Sequence, residues 1–445
     1  MARILVIGGG ISGLASAWFL KARGHQVHVL EKAATPGGCL CTILERGFLV
    51  DTGPTSTLYR EGALGELISA LGLGDQMLEA NAVARNRYIV KGSELLALPL
   101  SLLAFARTPL FSNKAKFRML LEPFHSRAAH EESVAQFVVR RLGPEFLDWA
   151  IDPFVSGVYA GDPAKLSVRA ATAKVYALEA EYGSLFIGAI RRALRGQVSG
   201  PQPRGKLISF RAGMQSLATA IAATLDGSIS INTEVNALAR TSSGEWVVHA
   251  SEHEFRAERV VLATPAHRAA KLLAPLDAAL STFLERLYYP PVASIALGFN
   301  GDQVHHPLNG FGMLIPSKLG RVTLGALFSS TLFPGRAPEG HVLLTAFIGG
   351  ARNPSAATLT HEQLIAQALS DLRPLLHIDG DPLFARVALW PQAIPQYELG
   401  HLERLTHIDA ALVRLPGLYL RANWRDGISV SDCVENAHNL AATMR

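Results

Sequence analysis

The sequence predicts an α/β protein: a discontinuous Rossmann-like nucleotide-binding domain, joined to an α+β domain with an antiparallel sheet and interrupted by a helical insertion. Three observations carry that expectation. The apolar run Arg3-Ile-Leu-Val-Ile7 leads directly into Gly8-x-Gly10-x-x-Gly13. Strand patterns return at 229–235, 260–263 and 417–421, far along the chain. Residues 290–395 alternate short apolar runs with turns, the makeup of an antiparallel sheet.

In chain order, five apolar residues read as a buried parallel strand. The glycines then supply a tight turn, a close backbone approach to a pyrophosphate and close strand-helix packing. Leu14, Ala17, Trp18 and Leu20 continue the turn as a helix that Gly24 ends. A second strand, 26–30, delivers Glu31 at its end, eighteen residues past Gly13, where a carboxylate can accept two ribose hydroxyls. Strand, turn, helix, strand and acid in that order make a nucleotide seat over Gly8, Gly9, Gly10, Ile11, Ser12, Gly13, Glu31 and Lys32. That motif does not separate NAD from FAD. Thr35-Pro-Gly-Gly38-Cys39 follows at once and brings further backbone amides to the cofactor, which favours FAD. Gly47-Phe-Leu-Val-Asp51 then reads as a strand, and Gly53, Pro54, Thr55 and Ser56 as a rigid turn; the order of motifs resembles that of large flavin oxidases, in which this turn would pass near the isoalloxazine.

Residues from about 60 to 200 read mainly as helices, at 64–71, 114–121, 133–142, 146–151 and 170–180, punctuated by Pro and Gly. A linker is expected at 196–205. Strand 207–210 and helix 214–225 lead back to the nucleotide fold, where Val235 is placed to offer backbone groups to the adenine. The last strand runs through Asn423 to Gly427 and into a closing helix. The N-terminus of that helix, at Ile428, Ser429 and Val430, offers the pyrophosphate a second set of amides.

Composition bounds the rest. At 445 residues, two or three packed units are expected. Charged residues are sparse at 18% and hydrophobic residues reach 49%, so some apolar surface is expected to remain uncovered. The apolar stretch 95–105 is too short to cross a bilayer and carries Pro99, but it could lie on one. Basic clusters at Lys114, Lys116 and Arg118, and at Arg191, Arg192 and Arg195, flank it and suit lipid headgroups or solvent equally. A net charge of +5 with a pI near 9.1 comes from scattered residues without a recognition motif, so no nucleic-acid partner is expected. The first strand begins at residue 3, so no cleavable leader is expected, and the chain is expected to be cytoplasmic, peripheral on the inner face of the membrane. Cys39, Cys41 and Cys433 lack the spacing of a metal site or a disulfide framework, and no metal is expected.

Several longer words resemble the family of oxygen-dependent protoporphyrinogen oxidases, within the flavin-containing amine oxidase superfamily. They are Asp152-Pro-Phe-Val-Ser-Gly-Val-Tyr-Ala-Gly-Asp-Pro-Ala-Lys-Leu-Ser167, Gly310-Phe-Gly-Met-Leu-Ile-Pro-Ser317, Thr323-Leu-Gly-Ala-Leu-Phe-Ser-Ser330, Phe333-Pro-Gly-Arg-Ala-Pro338 and Trp424-Arg-Asp-Gly-Ile-Ser-Val430. The resemblance spans the whole chain. It implies FAD as cofactor and six-electron oxidation of a porphyrinogen in three hydride transfers, each followed by reoxidation with dioxygen to hydrogen peroxide. It further implies a membrane surface, hand-over to ferrochelatase and a homodimer among the partners. Arg87 matches a propionate-binding arginine, with Arg85 as the competing assignment. Leu314, Leu324 and Phe347 match residues that clamp the macrocycle, Gly157 leaves room above a ring, and Trp390 resembles a tryptophan near the flavin edge. No side-chain base is implied: His267, His305 and His306 have no sequence reason to face the ring, so the catalytic residues are none beyond the flavin. Arg421 departs from the family's small residue and leaves its effect on the cofactor phosphates open. A sister coproporphyrinogen oxidase and a non-catalytic binding protein on the same fold are the rival readings. The domain expectation is 1–60, 205–265 and 400–445 for the nucleotide-binding part, 85–204 for the helical membrane-associating part, and 61–84 with 266–399 for the substrate part.

Overall fold

The computed structural model describes residues 1–195 and 205–444. The linker expected at 196–205 lies, but for its last residue, outside the described residues. Five parallel strands form the nucleotide-binding sheet in the order Ile229–Ser230, Gln26–Leu30, Arg3–Ile7, Arg259–Leu262, Leu418–Leu420. Strands more than a hundred residues apart in the chain are hydrogen-bonded neighbours here. The reason is visible in composition: Leu5, Val6, Val260 and Val261 are buried from both sides, as strands of a parallel sheet must be. Ile4 and Val6 face the helices Ile11–Ala22, Gln215–Thr224 and Val430–Thr443, while Leu5 and Ile7 face a second core.

That second core holds two surprises. The stretch 229–235 is not one strand: it stops at Ser230, and Val235 opens an antiparallel meander of Val235–Arg240, Trp246–Ala250 and His253–Ala257. Asn232, at φ 52°, makes the break, with the amides of Asn232 and Thr233 bonded to Ala33 and Glu31. Helices Ala266–Leu273, Ala278–Glu285 and His401–Leu412 also pack on this face, so residues 266–289 bury their apolar side chains with the nucleotide sheet. Likewise Ala63–Ala70 packs into the first core, and Met77–Glu79 pairs with Lys206–Phe210. The packing therefore draws both segments away from the substrate part, where the sequence placed them.

The second sheet has seven strands, in the order Phe384–Trp390, Val292–Asn300, His341–Gly349, Thr323–Leu327, Gly312–Leu314, Tyr88–Lys91, Glu94–Ala97. All pairs are antiparallel except Gly312–Leu314 with Tyr88–Lys91. The hairpin 88–97 thus belongs to this sheet rather than to the helical part, because Val90 completes its core. One face is closed by a sixteen-residue helix, His361–Leu376, that the strand pattern of 290–395 concealed. Residues 102–194 form the helical insertion, and Asp152–Tyr159 is its helix nearest the sheet.

A buried ion network holds the insertion together. Arg141 and Glu122 are both fully buried and pair at 3.2 Å, and Glu179 bonds the Arg141 Nε at 2.9 Å. Glu122 also accepts the Leu185 amide at 2.9 Å and the Ser184 hydroxyl at 2.5 Å, so its charge sits on the N-terminus of helix Leu185–Leu194. Removing one partner leaves an unpaired charge in the interior, a cost of about 3–5 kcal/mol. Arg141→Met is expected to lower the denaturation midpoint accordingly, read by urea titration. An unchanged midpoint would show the network to be dispensable.

Candidate active site

At the C-terminal ends of the parallel strands, backbone approaches backbone with no space for side chains. Gly8 takes φ +104° and donates its amide to Leu30. A Cβ on Gly13 would lie 1.9 Å from the Gly8 carbonyl oxygen, and one on Gly53 would lie 2.0 Å from that of Cys39. A Cβ on Gly38 would stand 3.1 Å from the Gly10 Cα, and the Gly37 amide donates to Gly9 at 2.8 Å. The two glycine turns, 8–13 and 37–38, are therefore one surface.

Glu31 closes the far side of this surface. Its carboxylate is buried and accepts the amides of Gly9 at 2.5 Å and Ala33 at 2.7 Å, which fixes its plane. Lys32 beside it is exposed, and Val235 lies half-buried at the start of the meander. Opposite, Ser429 caps the closing helix by accepting the Asp432 amide at 3.1 Å. Ser12, in the first turn of helix 11–22, bonds Cys433 in the first turn of the closing helix, so two helix N-termini meet at the same place, a ready seat for a diphosphate. Burial pushes the Cys433 thiol there up to about 12, so it stays protonated. All three cysteines are free thiols, with Cys39 exposed at the surface of the turn. Arg421 does not add an unpaired charge to this seat: its guanidinium bonds the Leu420 carbonyl at 2.9 Å and lies 3.7 Å from Asp426.

From the cradle the chain runs through the turn 52–56. Asp51, just before it, is buried against Arg336 at 3.3 Å and accepts the Thr42 hydroxyl at 2.6 Å and the Met214 amide at 2.8 Å. Trp390 donates its indole N–H to the Thr52 carbonyl at 2.9 Å, tying the end of the seven-stranded sheet to this turn. Pro54, Thr55 and Ser56 are half-buried there.

The sheet's other face looks towards the cradle. Strand register sets one row across it: Ile89, Leu314, Gly325, Phe347, Ser294, Ala388. Side chains alternate between faces, so Met313, Ala326, Ala346 and Ile348 fill the core under helix 361–376, while Leu314 and Phe347 point the other way and stay half-buried. Leu324 joins them at a register shift between Thr323 and Gly325. Gly157 reaches this row from the insertion: a Cβ on it would lie 2.2 Å from the Leu314 Cδ2. Arg87 precedes Ile89 by two residues and so emerges on the same face. Its guanidinium lies 5.2 Å from the Phe311 ring centre, and among the described residues no carboxylate pairs with it. His305 and His306 serve elsewhere, bonding Asp379 at 2.7 Å and the Leu308 amide at 3.0 Å, and His267 lies edge-on to Tyr289.

Three contributors escaped the sequence: Ala263, whose carbonyl backs Gly8, Phe311 under Arg87, and Tyr397, whose hydroxyl reaches the Asn423–Gly427 turn. Only the word containing Phe311 carried a signal, and it pointed to the sheet rather than to Arg87.

Fold and cradle define the class of protein that binds a dinucleotide at the ends of a parallel sheet, here with an antiparallel sheet set against it. The chain belongs to the flavin containing amine oxidoreductases, whose family pattern matches residues 11–445. Its cofactor is FAD, and the fused glycine turns, which a single Cβ would block, fit its diphosphate. Over 467 residues it is 35% identical to a chloroplastic protoporphyrinogen oxidase of Nicotiana tabacum, covering 98% of this chain and 84% of that one. A coproporphyrinogen III oxidase of Bacillus subtilis (strain 168) is 29% identical over 97% of this chain and 95% of its own. A crystal structure from Exiguobacterium sp. 255-15 superposes with a TM-score of 0.85 at 25% identity, covering 99% of this chain and 98% of that one.

Proposed function

We propose that this enzyme oxidises protoporphyrinogen IX to protoporphyrin IX with dioxygen as acceptor, in porphyrin biosynthesis. The observation that carries the reading is Arg87, a guanidinium with no carboxylate partner among the described residues, at the edge of an otherwise apolar face made by Leu314, Leu324 and Phe347. A flat apolar macrocycle with carboxylates at one end matches that arrangement, since a planar guanidinium binds both oxygens of a carboxylate. FAD, when bound, takes electrons from the substrate two at a time and passes them to dioxygen. The chain's own residues position: Gly8 to Gly13, Glu31, Lys32, Gly38, Cys39, Val235 and Ile428 to Val430 hold the ADP half, while Gly53 to Ser56, Asn423 and Trp390 hold the flavin half. Gly157 keeps Leu314 from being pushed into the ring's place. The nucleotide-binding unit, the sheet unit and the helical insertion are proposed as the three functional parts.

The Bacillus subtilis relative supports a second reading, oxidation of the four-propionate coproporphyrinogen III. Turnover of both porphyrinogens, followed by product fluorescence, decides between them. Faster turnover of protoporphyrinogen is expected, and preference for the four-carboxylate substrate would refute the first reading.

Attachment to a membrane surface is part of the proposal. Among the described residues no helix is long and apolar enough to cross a membrane. The insertion instead exposes Leu102 at 90%, Phe124 at 85% and Leu194 at 83%, with Phe117, Leu120 and Ile190 also in solvent, and exposed apolar clusters of this kind mark lipid or protein contacts. Within the expected stretch 95–105 the exposed apolar residues are Leu100, Leu102 and Leu103, while its first residues and most of the basic residues of the two clusters are engaged locally. Leu95 and Leu96 lie in a strand, Lys116 and Arg118 bond backbone carbonyls, and Arg191, Arg192 and Arg195 gather around Tyr182. Apolar area, more than charge, would then drive attachment, so liposome flotation should persist in high salt. Recovery only in the unbound fraction would count against it. A poorly soluble porphyrin leaving at a membrane face also suits direct hand-over to a ferrochelatase.

A further inference from the structure

Between the insertion and the cradle lies the segment of Tyr397, to which the proposed function gives no role. Tyr397 is buried, and its hydroxyl makes two bonds to one turn: it donates to the Asn423 carbonyl at 2.5 Å and accepts the Gly427 amide at 2.9 Å. One oxygen atom therefore fixes the span of residues 423–427. Gly427 itself takes φ +145°, and a Cβ there would lie 2.5 Å from the Asp432 Cβ, so the turn delivers the closing helix by a route with little slack. The Tyr397 ring is stacked on buried His401, with centroids 4.2 Å apart and planes at 12°.

The same segment is also fastened to the substrate wall. The Gln396 amide group donates to the Tyr159 carbonyl at 2.8 Å, at the end of the helix that carries Gly157. Ser167 donates its backbone N–H to Tyr397 at 2.8 Å, and Leu399 donates to Lys165 at 3.0 Å. Burial raises the phenol's pKa, so the hydroxyl remains a donor. Neither a core-filling role nor a ring stack calls for a hydroxyl bonded at both ends to one turn of the cofactor site.

We propose that Tyr397 is a positioning residue: its hydroxyl sets the 423–427 turn, and through Gln396 ties that turn to the wall helix bearing Gly157, so that cofactor and substrate wall keep one fixed spacing. This rests on the reading that residues 423–430 contact FAD. The loss of the hydroxyl frees the Asn423 carbonyl and the Gly427 amide together, and the N-terminus of the closing helix shifts against the flavin.

Tyr397→Phe keeps the ring and its stack and removes only the oxygen. Its FAD dissociation constant, measured on the apoprotein by flavin fluorescence quenching, is expected to rise about tenfold, the equivalent of one net hydrogen bond. The flavin midpoint potential should move with it, while the apoprotein melting temperature stays near wild type. His401→Phe, which keeps a stacked ring and both hydroxyl bonds, should leave FAD affinity within about twofold. A Tyr397→Phe protein with wild-type FAD affinity and potential overturns the proposal, whether or not its melting temperature falls. Equal loss of affinity in His401→Phe, which also removes the imidazole's approach to the Arg425 backbone, overturns it too, since the Tyr397 hydroxyl would then not be what sets the turn. Ser429→Trp separates the underlying reading: if this bulk at the helix cap leaves FAD binding intact, residues 423–430 do not contact the cofactor and the proposal falls with them.

Discussion

Gly13→Ala is expected to give a protein that no longer retains flavin. The added methyl would stand 1.9 Å from the Gly8 carbonyl oxygen and 3.1 Å from the Ala263 side chain. Neither neighbour can yield cheaply, because Gly8 donates its backbone N–H to the Leu30 carbonyl and Ala263 donates its own to that of Ile7. Helix 11–22 must therefore move off the sheet, and its N-terminus moves with it, away from the diphosphate. Overpacking of this kind costs roughly 1–3 kcal/mol, and the displaced amides add to it, so FAD affinity is expected to fall by about 100-fold or more. Titration of the apoprotein with FAD measures this directly. Gly74→Ala is the control, since a Cβ there meets nothing within 4 Å and its φ is ordinary. Wild-type FAD affinity in Gly13→Ala would mean that the diphosphate is not seated on this turn.

Arg87→Ala is expected to cost substrate and leave cofactor. A guanidinium bonded to a carboxylate contributes about 1.5–3 kcal/mol, so kcat/KM should fall by roughly 10- to 100-fold. Most of the loss should appear in KM, because a propionate is equally charged before and after oxidation and its contact does not change at the transition state. Bound FAD should be unaltered, as Arg87 sits on the roof and not in the cradle. Arg87→Lys should recover only part of the activity, lacking the planar fork. Arg85→Ala, two positions back and also exposed, should change little. Loss of flavin in Arg87→Ala would instead make this residue structural.

The cradle was legible because its parts are local. Gly8, Gly10 and Gly13 have their spacing imposed by one turn, and Glu31 by one helix and one strand, so a short window of sequence contains the whole device. The roof was only half legible. Residues 290–395 alternate as strands should, yet the same stretch hides the helix 361–376, and the hairpin 88–97 joins the sheet from two hundred residues upstream. Nothing local at Tyr88 reveals that its neighbour will be Met313. The helices 266–273, 278–285 and 401–412 cover the nucleotide sheet for the same reason: their apolar faces were readable, but not which sheet they would cover.

What the sequence by itself determined, then, is the nucleotide seat, its preference for FAD and the presence of an antiparallel partner domain. The resemblance of longer words added Arg87, Gly157, Leu314, Leu324 and Phe347 as names without positions. Tertiary structure alone decided that Leu314 and Phe347 share one row with Gly157 against it, that no carboxylate among the described residues neutralises Arg87, and that Arg421 is occupied by Asp426. The division has a physical cause. A phosphate seat is built from consecutive backbone amides, whose geometry is fixed by their own residues, whereas a substrate wall is built from side chains of separate strands, whose neighbours are fixed only when the sheet is assembled.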